Sequence, residues 1–194
     1  MAGQFEALPG GGAAVALDEV EISILRSFAV QLMELIGPGD EPVEGEDPLA
    51  ALFAEGPSEP PSDPALRRPL PDAYGDDTDE LRQAAADFRR YTENDLRARK
   101  RDDALSVVRS LDALASAAAG EGGGVLKLTA DESRAWLGAL NDLRLTIGTR
   151  LEVTDDDESE ALYRLPDDDP RKPMVMAYLW LGGLQESLVE TLMP

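Results

Sequence analysis

TADESRAWLGALNDLRLTIG, residues 129–148, is the stretch on which the fold class turns. Thr129 followed three residues later by Glu132 is a capping box: the hydroxyl takes a first-turn N–H while the glutamate reaches back to the cap. Behind it Trp136, Leu137, Leu140, Leu143 and Ile147 recur at helical spacing, so one face of this helix is expected to be core. Gly148 weakens the last turn before Leu151. Trp136 lies on the apolar stripe and reads as core rather than as part of a ligand cage. Asn141, Asp142 and Arg144 are polar positions inside the same helix, and two roles stay open for them: tying neighbouring segments together, or lining a small pocket.

Working outward, residues 120–124 form a glycine-rich loop and Val125-Leu126-Lys127-Leu128 has the pattern of a short strand. A second strand is expected at 13–17, paired with 5–8 across a turn at 9–12. Asp18 with Glu21 repeats the capping-box signature and opens a helix carrying Ile22, Leu25, Phe28, Ala29, Leu32, Leu35 and Ile36, which Gly37-Pro38-Gly39 stops. Residues 79–100 are polar but strongly helical, with a narrow stripe of Leu81, Ala85, Phe88, Thr92 and Leu96. An apolar face then continues through Ala104, Val108, Leu111 and Leu114, as one long helix or as two broken near Asp102. Pro173 suits the first turn of a last helix through Met176, Tyr178, Leu179, Trp180, Leu184, Leu188 and Leu192, and Trp180 also reads as core. The expected fold is mainly α: a helical core of about five helices with a small two- or three-stranded β element, in a single helical domain over 1–194.

Residues 37–64 are dense in Pro, Gly, Asp and Glu and read as an acidic, flexible insert. Its one apolar patch, Leu49-Ala50-Ala51-Leu52-Phe53, is either a tether to the core or a docking motif, the tether being favoured. No apolar run is long enough to span a bilayer, and the N-terminal MAGQFEALPGGG has neither the basic region nor the hydrophobic core of a leader, so a cytoplasmic location is expected.

Composition excludes most familiar chemistry. There is no histidine and no cysteine, which removes imidazole and thiolate ligands, the commonest general base, the thiol nucleophile and any disulfide. The acidic run Asp155-Asp156-Asp157-Glu158 fails the EF-hand spacing, because loop positions six and twelve hold Glu160 and Pro166. The glycine runs lack the following Gly-Lys-Ser/Thr of a phosphate loop. No catalytic set, cofactor or metal is expected. A formal net charge of −21 argues against direct binding of nucleic acid or anionic lipid and leaves proteins and small cations as candidate partners.

That charge is uneven. Residues 77–120 hold nine acids against eight bases, and within them Arg89, Arg90, Arg97, Arg99, Lys100 and Arg101 meet only Glu93 and Asp95. Arg89, Glu93, Arg97 and Arg101 follow one another at i to i+4 and are expected to form an ion-pair ladder on the outer face of the helix. The six basic residues are also the candidate surface for an acidic partner, since Arg binds carboxylates in a fork and is enriched at interface hot spots.

Four stretches, residues 15–21, 63–74, 87–93 and 135–151, together resemble the actinobacterial domain of unknown function whose named member is the oxidative stress regulator AosR. The resemblance runs from about Phe5 to Val189, and the Trp136-Leu137 to Leu145 segment is its most specific part. It implies a non-enzymatic regulator linked to transcription through an alternative sigma factor, from genes that lie near that of the Clp protease adaptor. An adaptor in Clp-linked proteolysis and a direct DNA-binding regulator are the alternatives. The family's redox role rests on a cysteine pair, which this chain does not have. The partner is expected to be a sigma factor or other transcription component, and the apolar last helix leaves a homodimer open.

Overall fold

The computed structural model describes residues 3–37, 55–118, 120, 122–154, 162 and 164–193. Among them lie three strands, β1 (Glu6–Leu8), β2 (Gly12–Asp18) and β3 (Gly123–Leu128), and five helices, α1 (Glu19–Ile36), α2 (Pro64–Arg67), α3 (Asp79–Ala117), α4 (Ala130–Arg150) and α5 (Lys172–Leu192). The mainly helical reading with a small sheet holds. The acidic patch at 155–158, the apolar patch at 49–53 and most of the insert expected at 37–64 fall outside the described residues.

Both capping boxes form. In the first, the Glu21 N–H donates to the Asp18 carboxylate at 2.8 Å and the Asp18 N–H donates to Glu21 Oε2 at 3.0 Å. In the second, Thr129 and Glu132 do the same for α4. Asp18→Ala should therefore cost about 1 kcal/mol of stability, read as a lower urea midpoint at unchanged slope, and an unmoved midpoint would show that the box is dispensable.

The sheet is antiparallel in the order β1-β2-β3, with Ala13 opposite Leu128 and Val15 opposite Leu126. Alternation sends Ala13, Val15 and Leu17 inward, each at most 3 % exposed, beside Leu126 and Leu128. At Gly12 a Cβ would lie 2.3 Å from the Leu128 carbonyl oxygen, so only glycine lets the two strands meet there.

Trp136 sits at the centre, fully buried, with the Phe5 ring edge-on at 5.8 Å and its indole N–H donated to Ser110 Oγ at 3.0 Å. Around it pack Leu25 and Leu32 of α1, Leu111 of α3, and Leu181, Leu184 and Leu188 of α5. Trp180 is only partly buried, against the edge of this core. α3 runs unbroken for 39 residues, about 58 Å, past Asp102. Among the described residues no helix is long and apolar enough to cross a membrane.

Candidate functional site

The basic segment of α3 does not present its charge as one outward patch. Arg89 is 5 % exposed and Glu93 is 2 % exposed, so the ladder expected on the outer face lies on the inner one. The Arg89 guanidinium donates to Glu93, to the Leu70 carbonyl at 3.1 Å and to Asp72 at 2.9 Å. Arg97 donates to the other Glu93 oxygen at 2.6 Å and to the Ile36 carbonyl, supplying at the C-terminus of α1 the positive charge that α1 itself lacks. Lys100 Nζ is held between both Asp142 oxygens at 2.7 and 2.9 Å. Arg90 pairs with Glu55 at 2.6 Å, Arg99 is exposed and Arg101 is half-buried.

The physical reason is rotation of the helix by less than half a turn. Burying Ala85, Arg89 and Glu93 leaves Phe88 and Leu96 of the expected apolar stripe 48 % and 37 % exposed. The packed face is charged because its opposite charges satisfy one another and the carbonyls of neighbouring segments. Hydropathy spacing does not register a buried ion pair. The ladder's i to i+4 order was visible, but its orientation depends on Leu70, Asp72 and Ile36, far away in sequence.

Of the polar positions in α4, Asp142 is the partner of Lys100. Its carboxyl is pushed above the usual carboxylate range by burial, against the opposing pull of Lys100. Asp103, on the neighbouring turn of α3, is raised too, first by burial and then by Asp142, while Arg99 and Lys100 oppose the rise. Arg144 stacks at 5.2 Å on the Tyr178 ring and donates to Gln185 at 2.7 Å, so it ties α4 to α5.

The sequence left open an exposed apolar surface on the last helix, but not the groove that this surface forms with α1. α1 and α5 flank α4 and barely touch each other, which leaves a groove between them with Leu143 and Ile147 of α4 at its floor. In its upper half Ile24 and Phe28 face Met176 and Trp180 across a hollow of about 560 Å³. A second hollow of about 820 Å³ continues it past Leu35 and Met174. Ile24, Met174 and Met176 are 38 %, 45 % and 55 % exposed. In one dimension these positions look like the buried stripe of a core helix, which is why the groove was not legible. Contiguous exposed apolar surface of this kind marks sites of macromolecular contact.

The family model described as a domain of unknown function (DUF2017) matches residues 2–192. A Mycobacterium leprae protein named as a putative oxidative stress regulator, AosR, is 33 % identical over 176 residues, which cover 89 % of this chain and 79 % of that protein. The oxidative stress regulators AosR of Mycobacterium bovis and Mycobacterium tuberculosis (strain H37Rv) are each 31 % identical over 176 residues, covering 89 % of this chain and 78 % of theirs. No solved structure matches the chain. With a family model spanning nearly its whole length and relatives above 30 % identity across most of it, this chain belongs to the DUF2017 family.

Proposed function

We propose that the protein is a non-enzymatic, cytoplasmic regulator in stress-responsive transcription that acts by binding another protein, a sigma factor or other transcription component. The observation that carries the binding part is the exposed apolar groove between α1 and α5. The regulatory part rests on relatives named as oxidative stress regulators. Direct DNA binding has less support, because Arg89, Arg97 and Lys100 are spent on pairs inside the fold and the chain as a whole repels phosphate. Any response to oxidants in this chain proceeds without a disulfide, since it holds no cysteine.

The test is affinity capture of the tagged protein from its own cell extract, with nuclease present to remove nucleic-acid bridges and bound proteins identified by mass spectrometry. A sigma factor or polymerase subunit should be enriched over a tag-only control. Recovery of protease or protease-adaptor subunits alone would move the protein into degradation control, and recovery of nothing would end the binding reading.

A further inference from the structure

We propose that the α1–α5 groove is the seat of one amphipathic helix of about 14 residues, supplied by a partner protein, apolar on one face and carrying Lys or Arg along its flanks. This deepens the protein-binding reading above and rests on it.

The shape selects a helix. The lining on α1 runs from Glu21 to Leu35, a rise of about 21 Å at 1.5 Å per residue, which an incoming helix of roughly 14 residues would match. The walls are two helices and the floor is a third, no further helix covers them among the described residues, and side chains at i, i+3, i+4 and i+7 of an occupant helix would enter the two hollows. A small ligand is a poor fit: the upper hollow is open and almost wholly apolar, with no converging polar groups to orient one. Met174 and Met176 on one wall are unbranched and adaptable, which suits a surface that receives side chains from another chain.

The charge selects the flanks. Glu34 stands at the groove with no ion pair among the described residues, while Arg150, the cation beside it, is engaged by Asp63 at 2.7 Å; at the other end Glu21, whose carboxylate closes the α1 capping box, adds its negative charge. The field of a chain with net charge −21 adds to this at longer range, drawing a cationic helix in and repelling an acidic one. The same argument disfavours the other occupants. Residues 38–54 carry five acids and no base, and a second copy of the chain brings another −21.

The experiment uses the intact chain and a fluorescein-labelled 16-residue peptide of Leu and Lys arranged as an amphipathic helix. Two comparison peptides are a scramble of the same composition without an apolar face, and a Leu/Glu version. Anisotropy titrations at about 0.15 M salt should show the Leu/Lys helix binding at least tenfold tighter than either. Ile24→Asp and Met176→Asp should each weaken it at least tenfold, whereas Tyr91→Asp, on the outer face of α3, should leave it unchanged. Both groove positions are already solvent-exposed, and unchanged circular dichroism and melting would show that the variants fold. Trp180 lines the groove while Trp136 is sealed in the core, so binding should shift the tryptophan emission, and Trp180→Phe should abolish that shift.

Equal binding of the scramble would reduce the effect to charge attraction, and indifference to Ile24→Asp and Met176→Asp would remove the groove as the site. Either result overturns the proposal, as does no binding at all. Tight binding of a peptide of residues 47–55 instead would make the chain its own occupant, and a dimer that Met176→Asp dissociates would make a second copy the occupant. Capture that recovers the same transcription component with wild type and with Met176→Asp would sink the groove while sparing the regulatory reading. Peptide binding with no captured partner would do the reverse.

Discussion

Glu93→Gln is expected to lower the free energy of unfolding by about 3–5 kcal/mol at neutral pH, a large share of the 5–15 kcal/mol that a domain usually has. Glu93 is 2 % exposed and is the common acceptor for two guanidinium groups, Arg89 and Arg97. Glutamine keeps the shape but removes the negative charge, leaving Arg89, itself 4 % exposed at its side chain, with only Asp72 and the Leu70 carbonyl to face. The damage should reach beyond α3, because the Arg89 contacts to Leu70 and Asp72 pin the 70–72 segment and the Arg97 contact to Ile36 closes the end of α1. Urea titration checks the magnitude. The triple variant Arg89→Met, Glu93→Met and Arg97→Met should recover part of the loss, since apolar residues replace the whole set of charges whose desolvation was costly and no buried member is left unpaired. A loss under about 1 kcal/mol for the single change would mean that water reaches the site and that the pair is not buried in solution.

The contrast between what was legible and what was not follows sequence distance. Asp18 with Glu21 and Thr129 with Glu132 are complete within four residues, and both helix starts came out where their cap chemistry put them. The 9–12 turn is equally local: Gly10 and Gly11 adopt φ of 97° and 88°, and the strands on either side pair as their alternation implied. Trp136 was legible because an apolar stripe at 3.6 spacing in a strong helix has few places to go but inward. The pairing of β3 with β2 joins residues more than a hundred apart, and nothing local announces it. The orientation of α3 depends on carbonyls of Leu70 and Ile36 in the same way. Trp180 shows the remaining gap. It lies on a stripe as apolar as that of Trp136, yet sits in a groove wall, because whether a stripe is covered depends on how many helices the fold supplies, which no single helix encodes.

Lys100→Met is expected to be as costly at neutral pH, about 3–5 kcal/mol, and its penalty should fade on acidification. Lys100 is the cation that compensates Asp142, whose side chain is 2 % exposed and whose other neighbours are the Asn141 side chain, which holds the carboxylate charged, and the Asp103 carboxylate. Burial already raises the Asp142 carboxyl above its ordinary value near 3.8, and Lys100 is the larger of the forces restraining the rise. Removing it raises the folded value further while the unfolded value stays put. A carboxyl raised in the folded state destabilises the fold fully above that raised value. The penalty lessens as pH falls through it and vanishes near the unfolded value. Asp103, raised in the same direction, adds to the trend in wild type as well, whereas Asp112 and Asp169, lowered by Arg26 and Arg171, lose their contribution only below the ordinary carboxylate range. Urea midpoints followed from pH 8 down towards the ordinary carboxylate range should therefore show the midpoint of Lys100→Met rising relative to that of wild type on acidification, closing the gap between them. Lys100→Met combined with Asp142→Leu should be steadier than the single variant at every pH and should lose its excess slope. Parallel pH profiles for wild type and Lys100→Met would show that Asp142 is not the group that Lys100 compensates.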